Sequence, residues 1–416
     1  MEEVYIIGVG MTPFGKLVQY SVKDITRMAV EDALKDAGCD VGDIQGAFFA
    51  NQYQSLLEGK SMLRGPINLS AMGFERIPCM TMDNACAGGT TAFWNAVNFI
   101  RAGRGDVALA VGVEKMNYPG EHEKVLETFR TALDLDHMEE HMAWIRKQSE
   151  GVEIPPDSES PKRSFFMDIY AARARARMRE YGLTQRQIAC ICAKNHNHSQ
   201  YNEKAFYRTP FTVEEVMAAR PIVYPLTLPM CAPTTDGGAA VIVASREGIT
   251  RLKADPRRAV KVAASVLLMG NADKREDYHE EIGCMAAKRA YEEASVGPED
   301  MSLCECHDAT AFSEVVQAET LGFCARGEGG RFAEEGNTAI GGRIPINPSG
   351  GLESKGHPIA ATGCAQLYEM VTQLRGEAGK RQVEGARFAI QENGGGKINI
   401  LDEEGVIAIT ILQKPE

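Results

Sequence analysis

Hydrophobic residues along the chain form short apolar runs, which predict buried strands, and longer segments with helical spacing. The run Val4–Gly10 is bounded by turn residues and predicts a first strand, and similar runs occur at Val107–Val113 and Ala239–Ala244. Between them, Val22–Gly38 places its apolar residues on one helical face and ends in glycine, which is typical of helix C-termini. Strands that alternate with helices predict an α/β fold with buried sheets.

The chain also contains a weak internal repeat. The segment that starts at Met28 (MAVEDALKDAGCDVGDI) aligns without gaps with the segment that starts at Met285 (MAAKRAYEEASVGPEDM). In each copy a downstream helix precedes a further strand, at Val107–Val113 in the first copy and at Phe388–Gln391 in the second. We therefore predict two similar α/β halves with their sheets side by side.

The stretch from about Asn117 to Pro221 differs from both halves. It is charged, it holds five of the eight histidines, and its Pro- and Ser-rich part at Ile154–Pro161 predicts a loop. We predict that this stretch is an insertion that covers a site. The expected domains are an N-terminal half at 1–118 and 222–254, a loop domain at 119–221 and a C-terminal half at 255–416.

The composition excludes several classes of protein. The 416 residues are 44% hydrophobic and 25% charged, which is ordinary for a globular enzyme. A formal net charge of −12 argues against a nucleic-acid partner, because phosphate binding usually needs a basic surface. We find no signal peptide, no run of the roughly 18–20 apolar residues that a membrane span needs, and 11 scattered cysteines. These features predict a soluble, cytoplasmic protein with reduced thiols.

Cys86 is the first candidate for chemistry. It lies in the small-residue segment DNACAGGTT, directly before a segment with helical spacing. The start of a helix favours a thiolate through the helix dipole, and its free backbone N–H groups can stabilise an oxyanion. The competing interpretation is a buried structural cysteine, but the small neighbours leave room for a substrate.

His357 occupies the corresponding place in the second half, between the turn NPSGG and a Gly/Ala-rich helix start. A histidine beside a cysteine is the pairing that activates a thiol. His307 and Asp308 follow the strand-like Leu303–Cys306, and Gln391–Gly396 follow another strand. We expect both strand ends to open on one site, where a glycine run lets backbone N–H groups approach a ligand.

These motifs resemble the thiolase family when they are taken together: ACAGGTTA at Cys86, NPSGG, KGHP and ATG around His357, and the late GGG turn. The start IIGVGMTPFGK, the segment EYGLTQRQIACICAKNHNHSQYN and the pair His307-Asp308 are similar to the sterol-carrier-protein-x type of thiolase. The resemblance covers nearly the whole chain. It implies the thiolase fold, a duplicated five-layered αβαβα architecture with an inserted loop domain, and a homodimer.

The resemblance also implies roles for individual residues. Cys86 would attack the β-keto carbonyl of a 3-oxoacyl-CoA, and CoA activated by His357 would then take the acyl group. One oxyanion hole would use the N–H groups of Cys86 and Gly394, and the other would use His307 and His357. We expect substrate contacts from three residues of the NPSGG turn, Asn347, Ser349 and Gly350. CoA is expected as co-substrate, with no bound cofactor and no metal.

The sequence departs from most thiolases at their second cysteine. Glu392 stands two residues before the first glycine of the GGG turn, and Ala309 fills the alternative position after His307-Asp308. A buried carboxyl group can have a raised pKa, so one hypothesis makes Glu392 the replacement acid/base. The other hypothesis is that Glu392 only orients His307 or His357.

We predict an acyl-CoA acyltransferase of the thiolase type that works in the degradative direction, with an aromatic, benzoylsuccinyl-type substrate among those that the resemblance suggests. A retro-aldolase of the same fold, acting on a β-hydroxyacyl-CoA, is one alternative, and Cys86 counts against it. A non-catalytic CoA- or lipid-binding subunit is another, against which Cys86 and His357 both count. Because bacterial relatives of this type often pair with a small OB-fold protein carrying a zinc ribbon, we expect such a partner.

Two other patterns carry less weight. Two groups of cysteines and histidines lack the usual spacing of zinc ligands, so we predict no metal site in either, Cys304-x-Cys306-His307 or Cys190-x-Cys192 with His196 and His198. The alternate arginines Arg173, Arg175, Arg177 and Arg179 predict a solvated helix surface, and the alternative is that one of them contacts a CoA phosphate.

Overall fold

The computed structural model describes residues 2–271, 277–398 and 404–415. Over these residues the strands are β1 (Tyr5–Met11), β2 (Gly46–Ala50), β3 (Cys79–Met82), β4 (Val107–Glu114), β5 (Pro221–Val223), β6 (Leu226–Thr227), β7 (Gly237–Ala244), β8 (Val260–Met269), β9 (Leu303–Glu305), β10 (Phe388–Gly395) and β11 (Val406–Gln413). The α-helices are α1 (Val22–Ala37), α2 (Tyr53–Leu57), α3 (Arg64–Ser70), α4 (Gly88–Arg101), α5 (His122–Arg130), α6 (Met138–Lys147), α7 (Phe165–Tyr181), α8 (Gln185–Ser199), α9 (Val213–Ala218), α10 (Arg246–Leu252), α11 (Ile282–Ala294), α12 (Ala311–Thr320), α13 (Gly329–Glu334), α14 (Gly351–Lys355) and α15 (Thr362–Leu374).

The first helix shows how the sequence pattern fixes local structure. The Ser21 hydroxyl accepts the backbone N–H of Asp24 at 3.2 Å, and the Asp24 carboxylate accepts the Ser21 N–H at 3.0 Å. This capping box fixes the start of α1, and Gly38 ends the helix in the left-handed conformation. The buried face of α1 packs on β1, β4 and β7. The helix predicted at Val22–Gly38 is therefore confirmed.

Nine strands form one mixed sheet in the order β3-β2-β4-β7-β1-β8-β11-β10-β9. The two half-sheets meet at β1 and β8, where Tyr5 pairs with Lys261 and Ile6 with Val260, and the Val262 N–H donates to the Val4 carbonyl at 2.9 Å. The halves match in their pairing: β2 and β4 are parallel, as are β9 and β10, whereas β7 and β11 run antiparallel to their neighbours. The predicted duplicated α/β fold is confirmed, with the side-by-side sheets joined through this short contact.

The buried clusters show how the halves stack. The helices α4 and α15 pack between the two half-sheets and share one apolar core with residues of both. The helix α1 covers the outer face of the first half-sheet, and α11 and α12 cover the outer face of the second. The layers are therefore helix, sheet, helix, sheet and helix, which is the predicted five-layered arrangement.

Polar and small residues lock the central layer. The Thr90 hydroxyl at the start of α4 donates to the Asn393 side-chain oxygen of β10 at 2.7 Å, and both side chains are buried. At Gly363 in α15, a Cβ atom would lie 2.0 Å from the Thr90 hydroxyl oxygen, so only glycine allows this close approach. This seam brings the start of α4 against the start of α15.

One predicted boundary was wrong. The sequence places Glu392 and Gly394 after a strand that ends at Gln391, whereas β10 continues to Gly395. Every residue of β10 has a partner on β11, including Gly394 opposite Ile407, and this long-range pairing outweighs the low strand propensity of glycine. Because side chains alternate along a strand, Asn393 faces the central helices and Glu392 faces the other side.

The region between β4 and β7 contains α5 to α9. The helix α8 falls within the helical segment predicted at Thr184–Asn202. Residues of α7 and α8 share an apolar cluster with α12 of the C-terminal half, so this region packs on the core of that half. Among the described residues, no helix combines the length and the apolar character that crossing a membrane requires.

Candidate active site

A cavity of about 1160 Å³ lies where the two halves and the inserted region meet. The N-terminal half lines it with Cys86, and the C-terminal half lines it with His307 and His357. The inserted region contributes side chains that include Phe129 and Tyr170. Three separate parts of the chain therefore form one site.

The backbone around Cys86 is held in an unusual conformation. Asn84 and Ala85 have φ values of 60° and 46°, which non-glycine residues rarely adopt, and a 3₁₀ turn at Ala85–Ala87 then leads into α4. The loop rests on β10, where a Cβ atom at Gly395 would lie 2.3 Å from the Asn84 carbonyl oxygen. Glycine at this position allows the loop and β10 to touch, and this contact fixes the position of Cys86.

Cys86 and His357 are in direct contact. The Sγ atom lies 3.2 Å from Nε2 of His357, and Nδ1 of the same ring lies 2.6 Å from the Thr362 hydroxyl oxygen. The Thr362 hydroxyl lies 3.2 Å from the Pro358 carbonyl and donates its single proton to it. Thr362 is then an acceptor for the Nδ1–H of His357. This tautomer leaves the Nε2 lone pair facing the thiol, as a general base requires.

Burial sets the charge state of this pair. It raises the pKa of the Cys86 thiol, and the nearby carboxyl groups of Glu404 and Glu114 raise it further. Burial lowers the pKa of His357 well below 6.5, with additional contributions from His307 and Lys355. The expectation that the helix start favours a resting thiolate was wrong, because desolvation of the charged form outweighs the helix dipole here. Both groups are neutral at pH 7.

His307 completes a cluster of three donor groups. Its ring centroid lies 5.2 Å from that of His357, with an angle of 62° between the rings. Burial lowers the pKa of His307 to about 4, so the ring is neutral, and its buried Nε2 has no partner among the described residues. Donor atoms of Cys86, His307 and His357 lie within 4.8 Å of one another. In residues 2–271, 277–398 and 404–415, no other group of cysteine, histidine and acidic side chains gathers in this way.

Glu392 lies directly behind His307. One carboxyl oxygen accepts the backbone N–H of His307 at 2.9 Å, and the other has no partner in the described part of the chain. Burial raises the pKa of Glu392 to about 8, so the carboxyl group holds its proton at pH 7. The backbone N–H of Gly394 also interacts with this group and lowers its pKa. The raised pKa fits the acid hypothesis and the His307 contact fits the orienting one, although neither Glu392 nor Gly394 is among the residues that line the cavity.

Two side chains in the cavity lining were not found from the sequence. The Oε1 atom of Glu404 lies 2.5 Å from Nζ of Lys397 and 3.4 Å from Nη1 of Arg173. Although burial opposes this, Lys397 and Arg173 lower the pKa of Glu404, so it is a carboxylate. Tyr170 of α7 also lines the cavity, and burial raises its pKa well above 10. Neither residue lies in a recognisable motif, because each reaches the site through tertiary packing.

The predicted substrate contacts of the NPSGG turn lie away from the cavity lining. Asn347, Ser349 and Gly350 are buried. The Asn347 side chain accepts the Cys306 N–H at 2.9 Å, and the Ser349 hydroxyl donates to Glu305 at 2.7 Å. Through these contacts the turn supports the backbone that leads to His357.

The arginines of α7 do not form a solvated surface, and that prediction was wrong. Arg175 is buried and donates to the Tyr224 carbonyl at 2.7 Å. Arg177 pairs with the buried Glu319 at 3.0 Å, and Arg173 reaches Glu404. The alternate spacing distributes these side chains around the helix, and most of them point toward the protein core.

The chain matches two protein-family descriptions, "Thiolase, N-terminal domain" over residues 4–247 and "Thiolase C-terminal domain-like" over residues 269–402. An acetyl-CoA acetyltransferase of Methanothermobacter thermautotrophicus is 36% identical over 95% of this chain and 97% of its own length. The benzoylsuccinyl-CoA thiolase subunit BbsB of Thauera aromatica is 33% identical over 92% of this chain and 91% of its own length. Sterol carrier protein 2 of Bos taurus is 33% identical over 94% of this chain and 69% of its own length.

Two solved structures have the same fold. An Ltp2-ChsH2(DUF35) aldolase superposes with a TM-score of 0.77 at 23% identity and covers 100% of this chain and 98% of its own. Human mitochondrial 3-ketoacyl-CoA thiolase in complex with CoA superposes with a TM-score of 0.71 at 16% identity, over 100% of this chain and 98% of its own.

Proposed function

Since this chain belongs to the thiolase family and is an acyl-CoA acyltransferase that uses CoA, we propose that it cleaves a 3-oxoacyl-CoA with CoA through an acyl-Cys86 intermediate. The observation that carries this proposal is the 3.2 Å contact between Cys86 Sγ and His357 Nε2 in the cavity wall. A neutral imidazole facing a thiol can accept its proton when substrate arrives.

The first half-reaction starts with that transfer. As the proton of Cys86 moves to Nε2 of His357, the sulfur attacks the 3-keto carbonyl of the substrate. The oxyanion would be stabilised by the backbone N–H of Cys86 and by that of Gly394, which would have to turn from the Glu392 carboxyl group that it contacts in the resting protein. When the bond between C2 and C3 breaks, the acyl group stays on Cys86 and an enolate forms. His307 and the protonated His357 would stabilise the enolate oxygen.

We assign the protonation of that enolate to Glu392, which holds a proton at pH 7. After the shorter acyl-CoA leaves, the proton on His357 returns to the Glu392 carboxylate. His357 is then neutral and accepts the thiol proton of incoming CoA, whose sulfur attacks the acyl-Cys86 thioester. The departing Cys86 sulfur takes the proton back from His357. All three groups end the cycle in their starting states.

The surroundings of Cys86 favour a bulky, apolar acyl group. Cys86 packs against a buried cluster that includes Tyr53, Met116 and Val125. Tyr53 and Phe129 meet edge to face, with their ring centroids 5.7 Å apart. Edge-to-face aromatic walls accept another aromatic ring with favourable geometry. This lining and the BbsB relative support the proposal of an aromatic, benzoylsuccinyl-type substrate. The degradative direction is proposed from the same relative.

The rim of the cavity offers positive charge for CoA despite the net charge of −12. Lys16, Lys162 and Arg220 are exposed residues of the lining, and none of them forms an ion pair within the described residues. We propose that the phosphates of CoA bind at this rim, since a local cationic surface is enough to hold an anionic ligand.

We propose that the chain forms a homodimer through strand β3. This strand lies at the end of the sheet order and pairs only with β2. Apolar side chains are exposed on and near it, with Met80 at 50%, Leu63 at 66% and Met62 at 81%. A second copy that pairs through its own β3 would cover the free strand edge and the exposed apolar side chains, and the two sheets would become continuous.

A small OB-fold partner with a zinc ribbon is a further proposal. One relative is named as a subunit, BbsB, and one solved structure of the same fold contains a second component, ChsH2(DUF35).

The experiment that tests the proposed function is intact-protein mass spectrometry. The wild type and Cys86→Ala are incubated with a panel of acyl-CoA and 3-oxoacyl-CoA thioesters. We expect an acyl adduct on the wild type alone, and its mass identifies the group transferred. No adduct with any thioester, even with a candidate partner present, contradicts the proposal and favours a retro-aldolase or a binding subunit.

A further inference from the structure

Three side chains at the reacting end of the cavity carry the donor atoms of a metal-binding site. The Cys86 sulfur and ring nitrogens of His307 and His357 lie within 4.8 Å of one another, and the Sγ-to-Nε2 distance of Cys86 and His357 is 3.2 Å. A tetrahedral ion with ordinary bond lengths holds sulfur and nitrogen about 3.6 Å apart and two nitrogens about 3.4 Å apart. The Cys86–His357 pair is within about 0.4 Å of this geometry, and the other two pairs need a closing movement of at most about 1.4 Å.

The donors are also oriented for an ion. The Nε2 atom of His307 is buried and has no partner among the described residues, although its ring lines the cavity. The Nδ1–H of His357 donates to Thr362, which directs the Nε2 lone pair toward Cys86. Histidines that bind metals usually donate their second ring N–H to a neighbouring acceptor in this way.

We propose that Cys86, His307 and His357 form a binding site for a thiophilic divalent ion such as Zn²⁺, which inhibits the enzyme reversibly. One sulfur and two imidazole nitrogens select ions of the zinc and cobalt type over Mg²⁺ and Ca²⁺, which require oxygen ligands. Binding forms an S–metal bond and releases the thiol proton of Cys86 to solvent, with no change of oxidation state. All three residues line the cavity, so a water molecule there could supply a fourth ligand.

This site has a direct chemical consequence. The ion would occupy the thiol that accepts the acyl group and the base beside it. Metal binding and acylation of Cys86 are therefore mutually exclusive, and the ion acts as an inhibitor with no role as a cofactor. Ion binding rests on the three donors alone, whereas inhibition by the ion rests on the proposed acylation of Cys86.

Co²⁺ is the probe for the test, because a cobalt–thiolate bond gives a charge-transfer absorption band that reports the sulfur ligand directly. The reduced full-length protein is titrated with Co²⁺ while absorption and proton release are recorded. We expect one ion and one released proton per chain, displacement by Zn²⁺, and reversal by a chelator. Prior alkylation of Cys86 in the wild type should abolish the band without any mutation.

Variants identify the other ligands. We expect His307→Asn to weaken Co²⁺ binding at least about tenfold, and Thr362→Val to weaken it about 10- to 100-fold through loss of the second hydrogen bond of His357. Cys190→Ser changes a half-buried thiol outside the cavity lining and should bind Co²⁺ like the wild type. Absence of the band, or full affinity in His307→Asn, overturns the proposal. Because these readouts need no turnover, they separate this inference from acyl transfer, which the mass-spectrometry experiment measures.

Discussion

The Sγ atom of Cys86 lies 3.2 Å from Nε2 of His357, and both groups are uncharged at pH 7. Burial is the main cause of both shifts, since it raises the pKa of the thiol and lowers that of the imidazole. Because Cys86 is partly buried and His357 is buried, a thiolate–imidazolium pair would place two charges in a poorly solvated site. The nucleophile therefore forms during the reaction, when the developing negative charge can move onto the substrate oxygen.

Alkylation of the resting enzyme tests this charge state. We expect iodoacetamide to label Cys86 slowly at pH 7, with a rate that increases about tenfold for each unit of pH until the thiol ionises above pH 9. Mass mapping after timed labelling measures the rate, and Cys86→Ser gives the background from the other thiols. Fast labelling with a midpoint below pH 7 would contradict a neutral pair.

Thr362 should position His357 for catalysis. Because its hydroxyl accepts the Nδ1–H of the ring, Thr362→Val removes the contact that holds the reactive tautomer. We expect kcat to fall about 10- to 100-fold with little change in KM, and Thr362→Ser to restore most of the activity. Steady-state kinetics over a range of pH provides the measurement. Equal kcat values for the Val and Ser variants would show that the hydroxyl has no such role.

Glu392→Gln distinguishes the two roles of this residue. Glutamine keeps an oxygen that can accept the His307 N–H, so an orienting role survives, but it cannot supply a proton. We expect turnover to fall about 10²- to 10⁴-fold while a 3-oxoacyl-CoA still acylates Cys86. The wild-type kcat should also fall as pH rises through about 8, where Glu392 loses its proton. Near-normal turnover in Glu392→Gln would leave only the orienting role.

The same carboxyl group should make stability depend on pH. Its pKa is 4.5 in the reference state and about 8 in the folded protein, so the folded state holds a proton that the unfolded state has lost. Its stabilising contribution is complete below pH 4.5 and disappears as pH rises through 8. We expect the free energy of unfolding of Glu392→Gln, relative to the wild type, to increase between pH 5 and pH 8. Urea denaturation at several pH values measures this difference, and a constant difference contradicts the raised pKa.

Met80→Glu tests the proposed dimer. A carboxylate on the exposed edge of β3 would be buried and unpaired where two copies meet, so we expect the variant to be monomeric. Met269→Glu changes a methionine that is 77% exposed at the end of β8 and serves as the matched control. Analytical ultracentrifugation gives the mass of each. A dimeric Met80→Glu, or a monomeric wild type, would exclude this interface.

The features that the sequence predicted correctly share a local signature. Strands and helices were recognisable because their apolar residues repeat at strand or helix spacing, and α1 also has Ser21 and Gly38 at its ends. The repeat placed Cys86 and His357 in corresponding positions before α4 and α15. Their direct contact follows from the packing of those two helices in one layer.

The features that the sequence missed depend on distant residues. The extension of β10 through Glu392 and Gly394 requires β11, and the charge state of Cys86 depends on how completely the fold excludes water. Glu404 and Tyr170 reach the cavity from segments without a motif. The NPSGG turn is recognisable as a sequence motif, but its hydrogen bonds to Glu305 and Cys306 depend on tertiary packing.

The seam formed by Thr90, Gly363 and Asn393 should tolerate far fewer amino-acid substitutions than the inserted region. A larger residue at Gly363 would push α15 away from α4 and so separate Cys86 from His357. Substitutions in this seam should therefore impair proton transfer between the two residues. The inserted region has no such constraint, because its side chains line the cavity without setting the distance between Cys86 and His357. New acyl specificities should therefore arise in α5 and α7 while the seam stays constant, both in natural descent and in directed evolution.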